Sequence, residues 1–398
     1  MPADEPEGVV VGIARHGRLK SPNPYLMLLK GIALVLAVVL ISASSVAAFA
    51  VWSFGNRVEA NAIDITAGDS TVPPPQLGSY ENGFNILLVG VDNDSGQSKA
   101  YGKRDTTLND VNILVHVSAD HSDAVVVSIP RDLIVPHPEC TDAKTGDTFG
   151  AMSARPVNEA MSRGGLPCVV KTMSELTGLA IPYAGLVSFN GVIQMSDAVG
   201  GVPVCLDESI NDHWSGLNLP AGTSVVKGKT ALAFLRSRHG VGDGSDLARI
   251  SSQQIYMASL MRTVKSAGTL TDIPKLVSLA NAAAENIQLS TSLASIDTMV
   301  SMALALKDID LDRLLFVQYP GTTGDAAFPG KVVPLQDLAD KMFAKLAADE
   351  PFTLPRTTPT PQPTTDTPTP APEAAPEELD GLTGQTAQDQ SCAEAFTG

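Results

Sequence analysis

Apolar positions fall into three patterns along this chain, and each predicts a different kind of element. The first is unbroken: GIALVLAVVLISASSVAAFAVWSF, residues 31–54, is 24 residues without a charge. As a helix rising 1.5 Å per residue it is about 36 Å long, enough to cross a hydrocarbon core of about 30 Å with some tilt. The second pattern is short and β-branched. FNILLVGV (84–91), VNILVHV (111–117) and AVVVSI (124–129) read as strands buried on both faces, and further strands are expected at 202–206 and 313–319. The third pattern has helical period. It predicts helices at 158–164 and 169–178, the latter stopped by Gly178, and one ending at Val199-Gly200-Gly201. Others are expected at 230–235, at 246–264 with Ser245 or Asp246 as N-cap, and at about 270–284, 291–306 and 335–347. Strands alternating with helices predict a layered α/β domain with helices on both faces of the sheet.

Where these patterns lapse, the chain divides. Residues 55–80, closing on Thr-Val-Pro-Pro-Pro, read as a stalk, and 81–350 as one domain. Residues 351–376 hold nine Pro and eight Thr, an extended linker, and 351–398 as a whole reads as an acidic tail with seven acids against Arg356. Arg15, Arg18, Lys20 and Lys30 precede the apolar span while Arg57 alone follows closely. That bias predicts residues 1–30 in the cytoplasm, one transmembrane helix, and the rest outside the cell membrane. A cleaved signal peptide is the rival, but its apolar region normally spans only about 7–15 residues. Outside, four cysteines suit disulfides, with Cys140–Cys168 favoured and Cys205–Cys392 left to tie the tail to the domain. Zinc is disfavoured because no Cys-x-x-Cys or paired His/Cys spacing exists.

Charge then narrows the function. A formal −16 and no Lys/Arg block oppose nucleic-acid binding, and 5% aromatics are too few for base-stacking platforms or a sugar-stacking lectin face. Polar residues gather instead at strand ends, where open α/β sheets hold ligands. Asp92 ends the first strand, Asp105 and Asp110 precede the second, and Pro130-Arg131-Asp132 follows the third. The densest cluster is Arg236-Ser-Arg238-His239, then a Gly-rich loop, then Asp246-x-x-Arg249-x-x-x-Gln253. If 236–238 is extended, both Arg point to one face, and Asp246, Arg249 and Gln253 share a sector of about 60° on the next helix. Guanidinium forks at that density suit a diphosphate, with acids left for a divalent cation. His239 is one further phosphate contact to consider. A calcium loop at Asp92 fails because Lys103 stands at its twelfth position, no P-loop exists, and the penicillin-binding-protein motifs occur in reverse order.

Taken together, NILLVGVD (85–92), DVNILVH (110–116), VSIPRD (127–132), LRSR (235–238) and Asp246-x-x-Arg249-x-x-x-Gln253 resemble the LytR-CpsA-Psr family, well over 84–265 and weakly to 350. The resemblance implies a three-layer α/β/α sandwich around a mixed sheet, preceded by one transmembrane helix. It also implies a phosphotransferase that moves a glycopolymer from a polyprenyl-diphosphate carrier to peptidoglycan with Mg²⁺. Carried over by position, Asp92 and Asp110 would hold the metal, and Asp110, Arg131 and Asp105 would be catalytic. Arg131, Arg236, Arg238, Asp246, Arg249 and Gln253 would bind the diphosphate. Two departures stand out. Spacing to the second strand favours Asp110 as the second carboxylate whereas the Lys-Arg-Asp-Thr pattern favours Asp105, and Arg155-Pro-Val-Asn158 stands where the family has Lys-x-Asn. Other classes consistent with the residues are a non-catalytic polyprenyl-lipid carrier or sensor, and a lipid-diphosphate hydrolase.

Overall fold

The computed structural model describes residues 23–65, 83–91, 107–265, 282–283, 286–307, 309–355 and 376–396. It divides into two units, residues 1–53 and 54–398. The first carries most of helix α1 (Pro24–Ala60), long and apolar enough to cross a membrane.

In the second unit the strands are β1 (Phe84–Val91), β2 (Asn109–Val117), β3 (Ala124–Ile129), β4 (Tyr183–Ser188), β5 (Val202–Leu206), β6 (Ile210–Asp212), β7 (Leu217–Leu219), β8 (Gly222–Val226), β9 (Ile287–Leu289), β10 (Leu314–Gln318) and β11 (Gly384–Thr386). The helices are α2 (Ala160–Thr177), α3 (Phe189–Val199), α4 (Gly228–Arg236), α5 (Asp246–Lys265), α6 (Ile296–Lys307) and α7 (Gln336–Ala347). Shorter strand pairs fill the loops between. Seven strands form one sheet in the order β9-β4-β1-β2-β3-β10-β11. It is mixed, because β1 pairs in parallel with β4 and β3 with β10 while the other ladders are antiparallel.

Alternation along the strands builds two cores. Leu87, Val89 and Val91 of β1, Val125, Val127 and Ile129 of β3, and Leu315 and Val317 of β10 face α2 and α7. On the other face Phe84, Ala124, Val126, Leu314 and Phe316 meet α5 and α6 through Ala258, Met302 and Ala305. A three-layer α/β/α sandwich results, as the sequence led us to expect. Met257, Ala258 and Met261 of α5 pack under the sheet as core. The expected helix at 270–284 lies almost wholly outside the described residues.

Two expected boundaries move. Residues 55–65, the described part of the segment read as stalk, pack onto the domain: Val58 sits against Ala294, Ile63 pairs with Ser290, and Ile65 enters the first core. Residues 376–396, read as acidic tail, also fold in. Their short apolar side chains Leu379, Leu382, Ala387 and Ala393 are buried, and β11 becomes a sheet edge. Composition averaged over 351–398 hid these residues among Pro, Thr and Asp.

A third core, from β5 to β8, α4 and the middle of α5, includes Ala393 and Ala395. Residues 392–396 form a strap across it. Ala393 exchanges backbone hydrogen bonds with Cys205 and Asp207, the Gly242 amide donates to the Glu394 carbonyl, and the Phe396 amide to the Gly240 carbonyl. Cys205 and Cys392 are joined, as are Cys140 and Cys168, with Cα atoms 4.4 and 5.6 Å apart.

Candidate functional site

Pro130 ends β3 and the chain turns at once, the Leu133 amide bonding back to the Pro130 carbonyl. Arg131 and Asp132 thereby stand at the carboxyl end of a sheet strand. Antiparallel β2 begins beside it, so Asp110, expected just before the strand, is its second residue. Its carboxylate takes Arg131 Nη1 at 2.5 Å. From α5, whose Ser245 Oγ caps the Ala248 amide, Asp246 and Arg249 reach into the same space. Asp246 accepts the Arg131 backbone N–H at 3.1 Å and pairs with Arg249 Nη2 at 2.6 Å, while Arg249 also donates to the Asp110 carbonyl at 3.0 Å. The 0/3 spacing on a helix predicted this convergence, and β2, β3 and α5 deliver it.

Asp132 ties in two more cations, Lys331 Nζ at 2.7 Å and Arg238 Nη2 at 3.7 Å. Lys331 carries no sequence signal. It arrives because Val332 pairs with Leu133 and donates its amide to the Asp132 carbonyl, a contact between segments 199 residues apart. Three carboxylates thus face four cations within one buried to half-buried cluster. Burial pushes the Arg131 guanidinium down, but Asp110, Asp246 and Asp132 together raise it above its ordinary value. For Arg249 burial prevails over Asp246 and the value falls, yet arginine keeps its charge.

Buried Nε groups of Arg131, Arg238 and Arg249 have no hydrogen-bond acceptor among the described residues. Unmet guanidinium donors in one place are an invitation to a multiply charged anion, since each costs free energy until an oxygen meets it.

Other expected residues behave differently. Residues 236–238 are not one extended segment: Arg236 is the last residue of α4, and its guanidinium lies 4.6 Å over the Phe189 ring, beyond the end of β4. Gln253 gives its amide to the Leu235 carbonyl at 2.9 Å, where it holds the end of α4 against α5. His239 is exposed, its ring 5.9 Å from Trp214. Asp92 and Asp105 lie outside the described residues, and Arg155 pairs with Glu159 at 2.8 Å. No group of three or more His, Cys, Asp or Glu is arranged to hold a metal ion among the described residues. Asp110, Asp132 and Asp246 each already face a cation. Cavities of about 400 Å³ beside Gly242 and Glu394 and about 350 Å³ beside Phe84 and His116 are not lined by Arg131, Arg238 or Arg249.

Comparison with known proteins agrees with the resemblance read from the sequence. The model of the LytR_cpsA_psr family matches residues 53–347. The chain is 32% identical over 266 residues to the cell wall biosynthesis protein LcpA of Corynebacterium glutamicum, covering 61% of this chain and 50% of that one. It is 24% identical over 312 residues to the polyisoprenyl-teichoic acid–peptidoglycan teichoic acid transferase TagT of Bacillus subtilis, covering 77% and 90%. The chain spans about half the length of the first curated relatives it matches. Among solved structures, a Streptococcus agalactiae protein shares the fold with a TM-score of 0.55 at 21% identity, over 69% of this chain and 91% of that one.

Proposed function

The chain belongs to the LytR-CpsA-Psr family, and from that premise we propose that it transfers a glycopolymer from a polyprenyl-diphosphate carrier to a sugar hydroxyl of peptidoglycan, in cell-wall assembly. The observation that supports this reading is the convergence of Arg131, Arg238, Arg249 and Lys331 in one cluster, where the Nε donors of the three arginines make no hydrogen bond among the described residues. In the step itself the acceptor hydroxyl oxygen bonds to the sugar-proximal phosphorus and the bond from that phosphorus to the bridging oxygen breaks. Polyprenyl phosphate leaves with the electron pair. Arg131, Arg238 and Arg249 neutralise the charge gathering on the phosphoryl oxygens, which is most of what such a transfer asks of a protein. Asp110, or Asp105, takes the hydroxyl proton, and Asp246 and Asp132 hold the guanidiniums in place. Mg²⁺, held by Asp92 and Asp110, would supply further charge neutralisation. The anchor reading goes with this: α1 spans the cell membrane, residues 1–30 are cytoplasmic, and the domain works outside on a membrane-borne donor.

The test uses the full chain in detergent, a labelled polyprenyl-diphosphate glycan and solubilised peptidoglycan. We expect label to appear on peptidoglycan, polyprenyl phosphate to be released, and chelation of Mg²⁺ to stop both. Arg238→Ala should lower transfer by about 30- to 1000-fold. Wild-type transfer by that variant would overturn the assignment, and release without an acceptor would make the protein a hydrolase.

A further inference from the structure

Trp214 is one of two tryptophans in the chain, the other being Trp52 in α1, and it is 73% exposed. An indole left in water needs a reason, because tryptophan normally contributes by burial. Here the exposure is built. Trp214 sits at the turn between β6 and β7, and the turn is organised by Asp212, a buried carboxylate. Asp212 accepts the Trp214 amide at 2.9 Å and the Ser215 hydroxyl at 2.9 Å, and from across the fold the Ser237 hydroxyl at 2.7 Å. Burial pushes that carboxyl up, but these hydrogen bonds outweigh it and hold its pKa below the ordinary value. Ser237 is the residue between Arg236 and Arg238. The turn that presents Trp214 is therefore tied to the residue next to Arg238 of the cluster. Imidazoles flank the indole, His213 at 4.9 Å and His239 at 5.9 Å between ring centres, and His239 directly follows Arg238.

We propose that Trp214 is a stacking platform for a pyranose ring next to the diphosphate, with His213 and His239 as hydrogen-bonding rim for its hydroxyls. A flat apolar plate edged by donor and acceptor groups matches a sugar, whose C–H face is apolar and whose edge is polar. This inference rests on the transferase reading, and the ring it holds belongs either to the donor glycan or to the acceptor strand.

Three probes separate these sources in the full chain: geranylgeranyl diphosphate, which has no sugar, a polyprenyl-diphospho-N-acetylglucosamine, and solubilised uncrosslinked peptidoglycan. In a Trp52→Phe background, Trp214 fluorescence should change on adding one of the sugar-bearing probes and not the sugar-free one. Trp214→Ala should weaken that probe's binding or raise its KM by about ten-fold with kcat nearly unchanged, and Trp214→Phe should restore most of the loss. A change confined to the diphospho-sugar assigns the donor; one confined to peptidoglycan assigns the acceptor. If wild type transfers glycan, yet Trp214→Ala keeps both KM values and neither saccharide alters the fluorescence, the platform is refuted while the transferase stands. If geranylgeranyl diphosphate fails to bind and transfer is absent, the transferase reading falls, and the fluorescence titration still decides the platform.

Discussion

At the scale of single residues, the cluster is held by pairs that cannot be broken one at a time. Asp246 is 4% exposed and Arg249 6%, so Asp246→Asn leaves a guanidinium buried beside a group that no longer carries charge. We expect a loss of about 3–5 kcal/mol in denaturant unfolding, whereas replacing both partners by apolar residues of similar size costs less. Equal midpoints for Asp246→Asn and wild type would contradict the pairing. Asp110, Arg131, Asp246 and Arg249 were legible in the sequence because each stands at a strand end or at helical spacing, both local signals. Lys331 was not, since its place depends on a backbone bridge from Val332 to Leu133 that no local pattern encodes. Arg236 and Gln253 were legible as members of a motif, but their orientation was not. The assumption of an extended Arg-Ser-Arg failed because the helix runs through Arg236, turning its side chain toward Phe189.

Elements are joined by two devices, one sensitive to acid and one to covalent closure. Buried His116 connects β2 to the end of α7: Nδ1 meets Asn85 at 2.9 Å, and Nε2 meets Asp349 at 3.3 Å. Burial pulls its pKa below 6.5, and the attraction of Asp349 offsets this only in part. His137 is lowered as well, by burial and then by the charge of Arg163. With folded values below 6.5, the unfolded chain binds more protons as pH falls through that window, so stability present above 6.5 is lost toward acid. Denaturation midpoints should thus be lower at pH 5 than at pH 7.5, and His116→Gln with His137→Gln should flatten that slope. Asp120, held at about 2 chiefly by the Ser122 amide and Ser118 hydroxyl, stabilises the fold above about 3.8 and loses that contribution only as pH falls from there toward 2. The second device is the strap at 392–396. Its bonds to Gly240 and Gly242 fix the loop between Arg238 and Asp246, where Gly242 (φ 50°) has no room for a side chain because a Cβ would stand 2.6 Å from that of Ala248. Cys205→Ser with Cys392→Ser should cost about 2–5 kcal/mol and raise the KM for the diphosphate donor. Unchanged KM in a chain that still folds would show that the loop holds itself.

For the whole molecule, the layered plan was readable from periodicity because strands with alternate residues on two faces leave little choice of architecture. Its edges were not readable, since β9 and β11 are three-residue strands whose partners decide their conformation. The anchor gives a prediction at this scale: a periplasmic-type alkaline phosphatase fused after Asn61 should be active, and one fused after Lys20 inactive. The opposite pattern would place the arginine cluster on the wrong side of the membrane for peptidoglycan.

The closure of Cys205 on Cys392 across 187 residues also sets an order of events. A ribosome completes the loop at 240–244 long before it adds the residues that fasten it, and the sulfurs join only where thiols can be oxidised. Until Cys392 is made and joined to Cys205, the segment that donates to Gly240 and accepts from Gly242 has no covalent hold on the rest of the fold.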